Sequence, residues 1–325
     1  MVAELSPRDL DRRLRGPGLG LRTGPFVARI NTDIGAVVEG IRTLYADHEV
    51  VDPCAFADWN VAMVRPRDVR RWYRPQVLFL FDGWAPFKPL PMSQALPGLE
   101  WGLNWAVASH AHQFLMLHAA AVARDGRAAI LPGASGSGKS TLCAALVHSG
   151  WRLLSDELTM MDPASGRLVG LARPVSLKNE SIDVIRRFAP QAFLTEPARD
   201  TAKGDVSLLK PPAASVRAAR KTALPAWVVA PRFQAGAALE LEPRSPAETL
   251  IDLGFNAFNY SILGSVGFRV LADLADRCPC YRMTYGSLDA ALEAFEELAS
   301  APARHPRDEA RESRRTPALV AGGPS

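Results

Sequence analysis

The stretch Gly133-Ala134-Ser135-Gly136-Ser137-Gly138-Lys139-Ser140, followed by Thr141, decides the fold of this chain. It matches the pattern GxxxxGK[ST] at every defined position. Glycines allow backbone angles that other residues avoid, so consecutive N–H groups can point inward at phosphate groups. The sequence therefore predicts a P-loop over residues 133–141 that binds a nucleoside triphosphate.

Two residues of this loop have predicted chemical roles. Lys139 is expected to reach the β- and γ-phosphates as a positive charge, and the Ser140 hydroxyl is expected to be a ligand of Mg²⁺. The helix that begins at Lys139 adds its positive N-terminal end. ATP and Mg²⁺ are thus the predicted cofactors.

The segments around the loop predict a strand–loop–helix–strand unit. His118 to Ala123 and Arg127 to Leu131 read as strands joined by a two-residue turn at Asp125-Gly126. A helix is predicted from Lys139 to about His148, and a further strand over Trp151 to Ser155. This order is typical of a βαβ unit, which predicts an α/β fold with a parallel sheet.

Two carboxylates, Asp156 and Glu157, follow the strand after the P-loop helix. In a parallel sheet the carboxyl ends of strands gather at the edge where the phosphate loop lies. One acid could serve Mg²⁺ and the other could accept the proton of an attacking hydroxyl. The alternative is an exposed acidic turn without a chemical role.

The chain divides by its pattern into three parts. Residues 1–107 predict a smaller mixed or mostly β domain, with short apolar runs separated by turn signals. Residues 108–300 predict the P-loop domain. Residues 301–325 are rich in Arg, Pro and Ala without apolar periodicity, which predicts a disordered tail.

Three local predictions concern segments outside the loop. A helix is expected from about Leu96 to Leu117, and another from Lys178 to Phe188. Residues 195–216 are polar and rich in Pro and Lys, which predicts a loop.

Composition narrows the class of protein. The 325 residues are 48% hydrophobic and 22% charged, with a net charge of +4 and no basic stripe interleaved with aromatic residues. We therefore expect no nucleic-acid partner. The four cysteines show no zinc or disulfide spacing, and the longest apolar stretch is too short to span a bilayer. A reduced, cytoplasmic setting is expected.

The segment His118–Val169 resembles HPr kinase/phosphorylase, whose catalytic domain is akin to that of phosphoenolpyruvate carboxykinase. The shared order is a histidine, a hairpin, the P-loop, a helix and a strand that ends in paired acids. From about residue 20 to 298 the chain is similar to the group called HprK-related kinase A. The matching features are Glu100-Trp101-Gly102-Leu103-Asn104-Trp105, Leu154-Ser155-Asp156-Glu157, Arg173–Asn179, Asp200–Gly204 and Phe258-Asn259-Tyr260.

The resemblance implies an HPr kinase-like P-loop domain and roles for three residues. Asp156 would be the general base that takes the proton from a hydroxyl. Glu157 would serve Mg²⁺ in place of the family's second aspartate, and catalytic His118 would lie near the phosphates; the alternative for His118 is a core residue. The motif tied to dephosphorylation is not recognisable, so HPr itself is not the expected acceptor.

Three cations after the P-loop unit, Arg173, Lys178 and Lys203, are candidates for contacts to phosphate. A kinase needs positive charge at the transferred phosphoryl group, and a mobile lid can supply it. The alternative for each is a surface cation.

The predicted function is an ATP- and Mg²⁺-dependent kinase that phosphorylates an unidentified hydroxyl, on a protein or peptide serine or on a small molecule. The group it resembles is encoded near exosortase and exopolysaccharide genes. A non-catalytic ATP-binding sensor or assembly module is the alternative. A transporter or motor ATPase lacks support, since no LSGGQ-type signature is present. Homo-oligomer formation is left open.

Overall fold

The computed structural model describes residues 1–67 and 73–301. These residues form a mixed α/β structure with three sheets. Among them, no helix combines the length and the apolar character that crossing a membrane requires. Apart from Ala301, the predicted tail at 301–325 lies outside the described residues.

The first sheet is built by the N-terminal part of the chain. Its strands are β1 (Leu19–Thr23), β2 (Phe26–Thr32), β3 (Val50–Val51), β4 (Trp59–Val64), β5 (Gln76–Phe81) and β6 (Leu90–Pro91). Their order is β3-β1-β2-β4-β5-β6. The accompanying helices are α1 (Pro7–Arg15), α2 (Gly35–Leu44) and α3 (Ala95–His110).

Helix α3 packs directly against this sheet and is the last of these three helices along the chain. A Cβ at Gly102 would stand 2.2 Å from the Phe79 ring of β5, so a glycine is needed for this close approach. The expected division at residue 107 falls inside α3 and stays a prediction. The helix ends at His110 rather than at Leu117, because Leu115 to Leu117 already pair as a strand.

The second sheet contains the predicted hairpin. Its strands are β7 (Leu115–Arg124), β8 (Arg127–Pro132), β9 (Arg152–Ser155), β10 (Leu158–Met161), β11 (Leu168–Val169), β15 (Leu224–Phe233), β16 (Glu240–Pro243) and β17 (Cys280–Tyr285). The order is β11-β10-β7-β8-β15-β17-β16, and β9 also pairs with β7. The helices of this part are α4 (Lys139–His148), α5 (Glu180–Phe188), α6 (Ala213–Arg217), α7 (Pro246–Phe255), α8 (Tyr260–Leu263), α9 (Ser265–Arg277) and α10 (Leu288–Ser300).

The hairpin at Asp125-Gly126 and helix α4 are confirmed, and the parallel sheet is confirmed in part. Strand β15 is parallel to both β8 and β17. The strand after α4, however, does not lie beside β8. Strand β9 pairs with β7, so the first strand of the hairpin separates β8 from β9. Since both are antiparallel to β7, their carboxyl ends still lie at the same edge.

Strands β9 and β10 pair with one edge of β7, and the acid pair interrupts them. Ser155 lies opposite Ala121, and Leu158 lies opposite His118. Asp156 and Glu157 occupy the gap between these partners. Both acids therefore lie beside His118, and the pairing register with β7 is the same at Ser155 and at Leu158.

The third sheet corrects the predicted loop at 195–216. It has the order β12-β14-β13, with β12 at Val175–Lys178, β13 at Ala198–Thr201 and β14 at Gly204–Leu209. The buried run Val206 to Leu209 forms its middle strand, and the prolines and lysines lie beyond the strand ends. Lys178 ends β12, and helix α5 begins after it at Glu180.

Candidate functional site

The loop of the GxxxxGK[ST] motif connects β8 to α4. Gly136 and Gly138 have φ angles of +86° and +93°, in the left-handed region that favours glycine. The Lys139 ammonium turns back over the loop. It donates hydrogen bonds to the carbonyl of Gly133 and, at 3.2 Å, to that of Ala134.

The ends of two parallel strands hold the loop in place. The Phe233 N–H at the end of β15 donates to the Ser137 carbonyl at 3.0 Å. The Tyr285 hydroxyl at the end of β17 donates to the Gly138 carbonyl at 3.3 Å. The loop therefore lies across the carboxyl ends of the strands, as the fold predicted from the sequence requires.

Asp156 is a buried carboxyl beside this loop. Its Oδ2 accepts the N–H of Ser176 at 3.0 Å, and Ser140 lies close enough to lower its pKa. Its Oδ1 has no hydrogen-bond partner among the described residues. Burial, reinforced by the charge of Glu157, raises the pKa of Asp156 to about 6, against the lowering effect of the Ser176 N–H and Ser140.

Glu157 is half-buried and is held by two side chains from distant parts of the sequence. Asn104 of α3 donates to its Oε2 at 2.7 Å. The ammonium of Lys203, in the turn between β13 and β14, lies 3.7 Å from Oε1 and also 5.5 Å from the centre of the Trp101 ring.

A buried pair of charges lies behind the acids. Arg173 donates to the side-chain oxygen of Asn104 at 2.6 Å and lies 3.4 Å from Oε2 of Glu100. The Tyr45 hydroxyl donates to the other oxygen of Glu100 at 2.5 Å. Burial raises the pKa of Glu100, and the charge of Arg173 opposes that shift. Arg173 is thus a buried partner of Glu100 and Asn104 and not a surface cation.

A cavity of about 20 Å³ lies between the acid pair and this buried pair, with Asp156, Glu157, Glu100, Arg173 and Ser176 in its wall. That volume suits a water molecule and excludes a nucleotide or a phosphoryl group. Four residues of its wall carry a buried polar atom without a hydrogen-bond partner among the described residues: Asp156 Oδ1, Glu100 Oε2, Arg173 Nε and Ser176 Oγ. The cavity is therefore part of the buried surroundings of the acid pair and not a binding site for the nucleotide.

The remaining predicted cations and His118 surround the same centre. Burial lowers the pKa of half-buried His118, and the charge of Lys139 lowers it further. Lys178 and Lys203 also act on it, whereas Glu157 opposes them. Burial likewise lowers the pKa of Lys139, while the charge of Asp156 raises it. The structure brings His118, Lys139, Lys178, Lys203 and the acid pair within electrostatic reach of one another.

Glu100 and Asn104 belong to this arrangement, but the sequence interpretation gave them no role. Both lie on α3, more than fifty positions away in sequence from Glu157, Arg173 and Tyr45, which they contact. Two signals were available: the stretch 100–105 is one of the features that match the resembled group, and a glutamate stands there inside an otherwise apolar helical segment. A carboxylate there must find a partner, because an unpaired buried charge is costly.

The oxygen atoms near the loop suit Mg²⁺. No group of three or more His, Cys, Asp or Glu side chains that could hold a metal ion occurs in the part of the chain that the structure describes. Mg²⁺ commonly binds through one or two carboxylates together with phosphate oxygens and water, so such a group is not required. The Ser140 hydroxyl and the Glu157 carboxylate are donors of this kind.

Comparison with known proteins gives matches among solved structures, but none among family models or curated proteins. Among solved structures, the HPr(Ser) kinase/phosphatase from Coxiella burnetii is similar over 61% of this chain and 98% of its own, with 12% identity and a TM-score of 0.28. A likeness at this level does not establish function, which must be inferred from the residues of the site.

Proposed function

We propose that the protein is an ATP- and Mg²⁺-dependent kinase that transfers the γ-phosphoryl group to a hydroxyl of a protein or peptide serine or of a small molecule. One observation carries the proposal: the buried carboxyl of Asp156, with a pKa of about 6, lies beside Ser140 and Lys139 of the phosphate-loop motif. A carboxyl whose pKa is raised toward neutral pH is suited to act as a general base.

In this proposal the loop at 133–141 binds the triphosphate. Its backbone N–H groups and the N-terminus of α4 attract negative charge. Lys139 already points across the loop toward the Gly133 and Ala134 carbonyls. It can exchange these bonds for the β- and γ-phosphates without a change of backbone.

Transfer then requires one proton acceptor and one attacking oxygen. Asp156, as carboxylate, takes the proton of the acceptor hydroxyl, and its Oδ1 is free of protein hydrogen bonds within the described residues. A bond forms between the hydroxyl oxygen and the γ-phosphorus. The bond from that phosphorus to the bridging oxygen breaks, and ADP leaves.

Mg²⁺, held by Ser140 and Glu157, would supply charge neutralisation at the phosphates. Lys178 and Lys203 add positive charge near the site, and both act on the pKa of His118 together with Lys139. Arg173 has a different role, since its guanidinium is committed to Glu100 and Asn104. The resemblance noted above directs the search for the acceptor to exosortase and exopolysaccharide systems.

The test is transfer of radiolabel from γ-labelled ATP to purified candidate acceptors and to lysate of a deletion strain. Asp156→Asn keeps the shape of the side chain but cannot take a proton. We expect transfer to fall by about 10²- to 10⁴-fold while ATP binding is retained. Asp125→Asn, at the exposed hairpin turn, is the matched control and should transfer as the wild type does.

Equal transfer by Asp156→Asn and wild type would exclude Asp156 as the base. Absence of transfer to any acceptor, together with ATP-dependent binding of a partner, would instead favour the sensor or assembly module.

A further inference from the structure

We propose that Asn104 is a positioning residue for Glu157, and that the buried pair of Glu100 and Arg173 fixes Asn104 in turn. The inference rests on the proposed function, in which Glu157 holds Mg²⁺. It assigns a role in the site to helix α3, although α3 contains none of the residues predicted from the motif.

The Asn104 amide lies between a group that only donates and a group that only accepts. Its Oδ1 is 2.6 Å from the Arg173 guanidinium, and its Nδ2 is 2.7 Å from Glu157 Oε2. Arginine has no acceptor and an ionised carboxylate has no donor. Only one orientation of the amide satisfies both neighbours, so Arg173 determines which face Asn104 presents to Glu157.

Arg173 is itself fixed. Its side chain is 7% exposed and that of Glu100 is 4% exposed, with the two charges 3.4 Å apart. Arg173 also donates to the backbone carbonyl of Glu100 at 3.2 Å, and Tyr45 holds the far oxygen of Glu100. A buried, multiply bonded ion pair has few alternative arrangements, which makes it a rigid base for Asn104.

The two oxygens of Glu157 differ because of this arrangement. Oε2 is bound by Asn104, whereas Oε1 faces the exposed ammonium of Lys203 at 3.7 Å. A glutamate side chain that is free to rotate loses rotamer entropy when it is fixed. The hydrogen bond from Asn104 restricts the Glu157 side chain before a ligand binds, so part of that entropy is already lost. Glu157 Oε1 can then exchange its contact with Lys203 for one with a metal ion.

The test measures the affinity for Mn²⁺, as a probe of the Mg²⁺ site, in the full chain saturated with ADP, by the EPR signal of the free ion. We expect Asn104→Leu to raise the Kd for Mn²⁺ by about 10- to 100-fold, the usual effect of losing a residue that orients a metal ligand. Glu157→Gln should raise it at least as much. Asn31→Leu is the matched control, since it removes another half-buried amide donor, bonded to the carbonyls of Leu14 and Gly16 far from the site.

Melting temperatures separate positioning from loss of structure. If Asn104→Leu fails to fold, Asn104→Ser replaces it, because a small polar side chain removes the bridge while water can reach Arg173. Weakened Mn²⁺ binding at a melting temperature equal to that of Asn31→Leu supports positioning. Wild-type Mn²⁺ affinity in the Asn104 variant, with weakened binding in Glu157→Gln, overturns the inference and leaves the proposed function standing. Wild-type affinity in Glu157→Gln overturns the metal role of Glu157 itself.

Discussion

The loop of the GxxxxGK[ST] motif and the acid pair lie at the same edge of the second sheet, but different kinds of contact hold them. The loop at 133–140 is tied by backbone groups and by glycine geometry, with Phe233 and Tyr285 bonding to its carbonyls. In the acid pair, Asp156 accepts the backbone N–H of Ser176, and Glu157 is held by the side chains of Asn104 and Lys203. The loop therefore takes its conformation from its own glycines and is held at its carbonyls by two strand ends, whereas the acid pair depends on side chains of other elements, α3 among them.

This difference allows each region to be disturbed separately. Substitutions behind the acids should reduce stability or alter the carboxyl groups while nucleotide binding persists. Substitutions in the loop should weaken nucleotide binding while the acids keep their environment.

The largest expected effect is the loss of the buried cation behind the acids. Arg173→Met leaves Glu100 buried without its charge partner, which typically costs about 3–5 kcal/mol. We expect the free energy of unfolding, measured in urea at pH 7, to fall by that amount. The double variant Glu100→Gln with Arg173→Met should recover much of the loss, because it removes both charges.

A loss below about 1 kcal/mol in Arg173→Met would mean that water or a rearranged neighbour satisfies the Glu100 carboxyl, contrary to its 4% exposure. Nucleotide binding by the folded fraction should be unchanged. If it disappears, the two regions are not separable.

The sequence predicted the loop region closely and the acid region only in part. Helix α4 begins at Lys139 and ends at His148, and the hairpin turns at Asp125-Gly126, as predicted. These features could be predicted because glycine patterns and turn residues act over only a few positions. Asp156 and Glu157 were identified by their position after a strand. The contact of Arg173 with Glu100 spans 73 positions, and no local pattern indicates such a pair.

The same limit explains the missed strands in the third sheet. The buried segment Val206 to Leu209 is only four residues long and contains Ser207, and flanking prolines and lysines obscure it. Its strand character comes from pairing with β12 and β13. The strand therefore forms because of its tertiary pairing and not because of the local β-propensity of its residues.

A smaller effect concerns the pH dependence of stability. The pKa of Asp156 is about 6 in the folded chain against an ordinary value of 3.8, so the folded state binds the proton more tightly than the unfolded state. Its contribution to stability is fully present below about pH 4 and is lost as the pH rises through 6. At about 1.4 kcal/mol per pKa unit, the whole change is about 3 kcal/mol.

The measurement compares the unfolding free energies of wild type and Asp156→Asn between pH 4 and pH 7.5. The difference between them should shift in favour of the variant as the pH rises. Glu100, whose pKa is also raised, is present in both proteins and cancels. A difference that does not vary with pH would show that Asp156 is not desolvated.

The smallest expected effect lies in the loop, where two glycines of similar backbone conformation differ in their surroundings. A Cβ at Gly138 would stand 2.5 Å from the Tyr285 hydroxyl and 3.1 Å from Phe233 Cβ, whereas one at Gly136 would meet nothing within 4 Å. Both positions have positive φ, so alanine at either costs about 1–2 kcal/mol of strain. Gly138→Ala must also displace Tyr285 from its bond to the loop, which adds about 1 kcal/mol. We expect urea unfolding to show this ordering, and ATP binding to be weakened more in Gly138→Ala than in Gly136→Ala. Equal losses in the two variants would mean that the ends of strands β15 and β17 do not hold the loop.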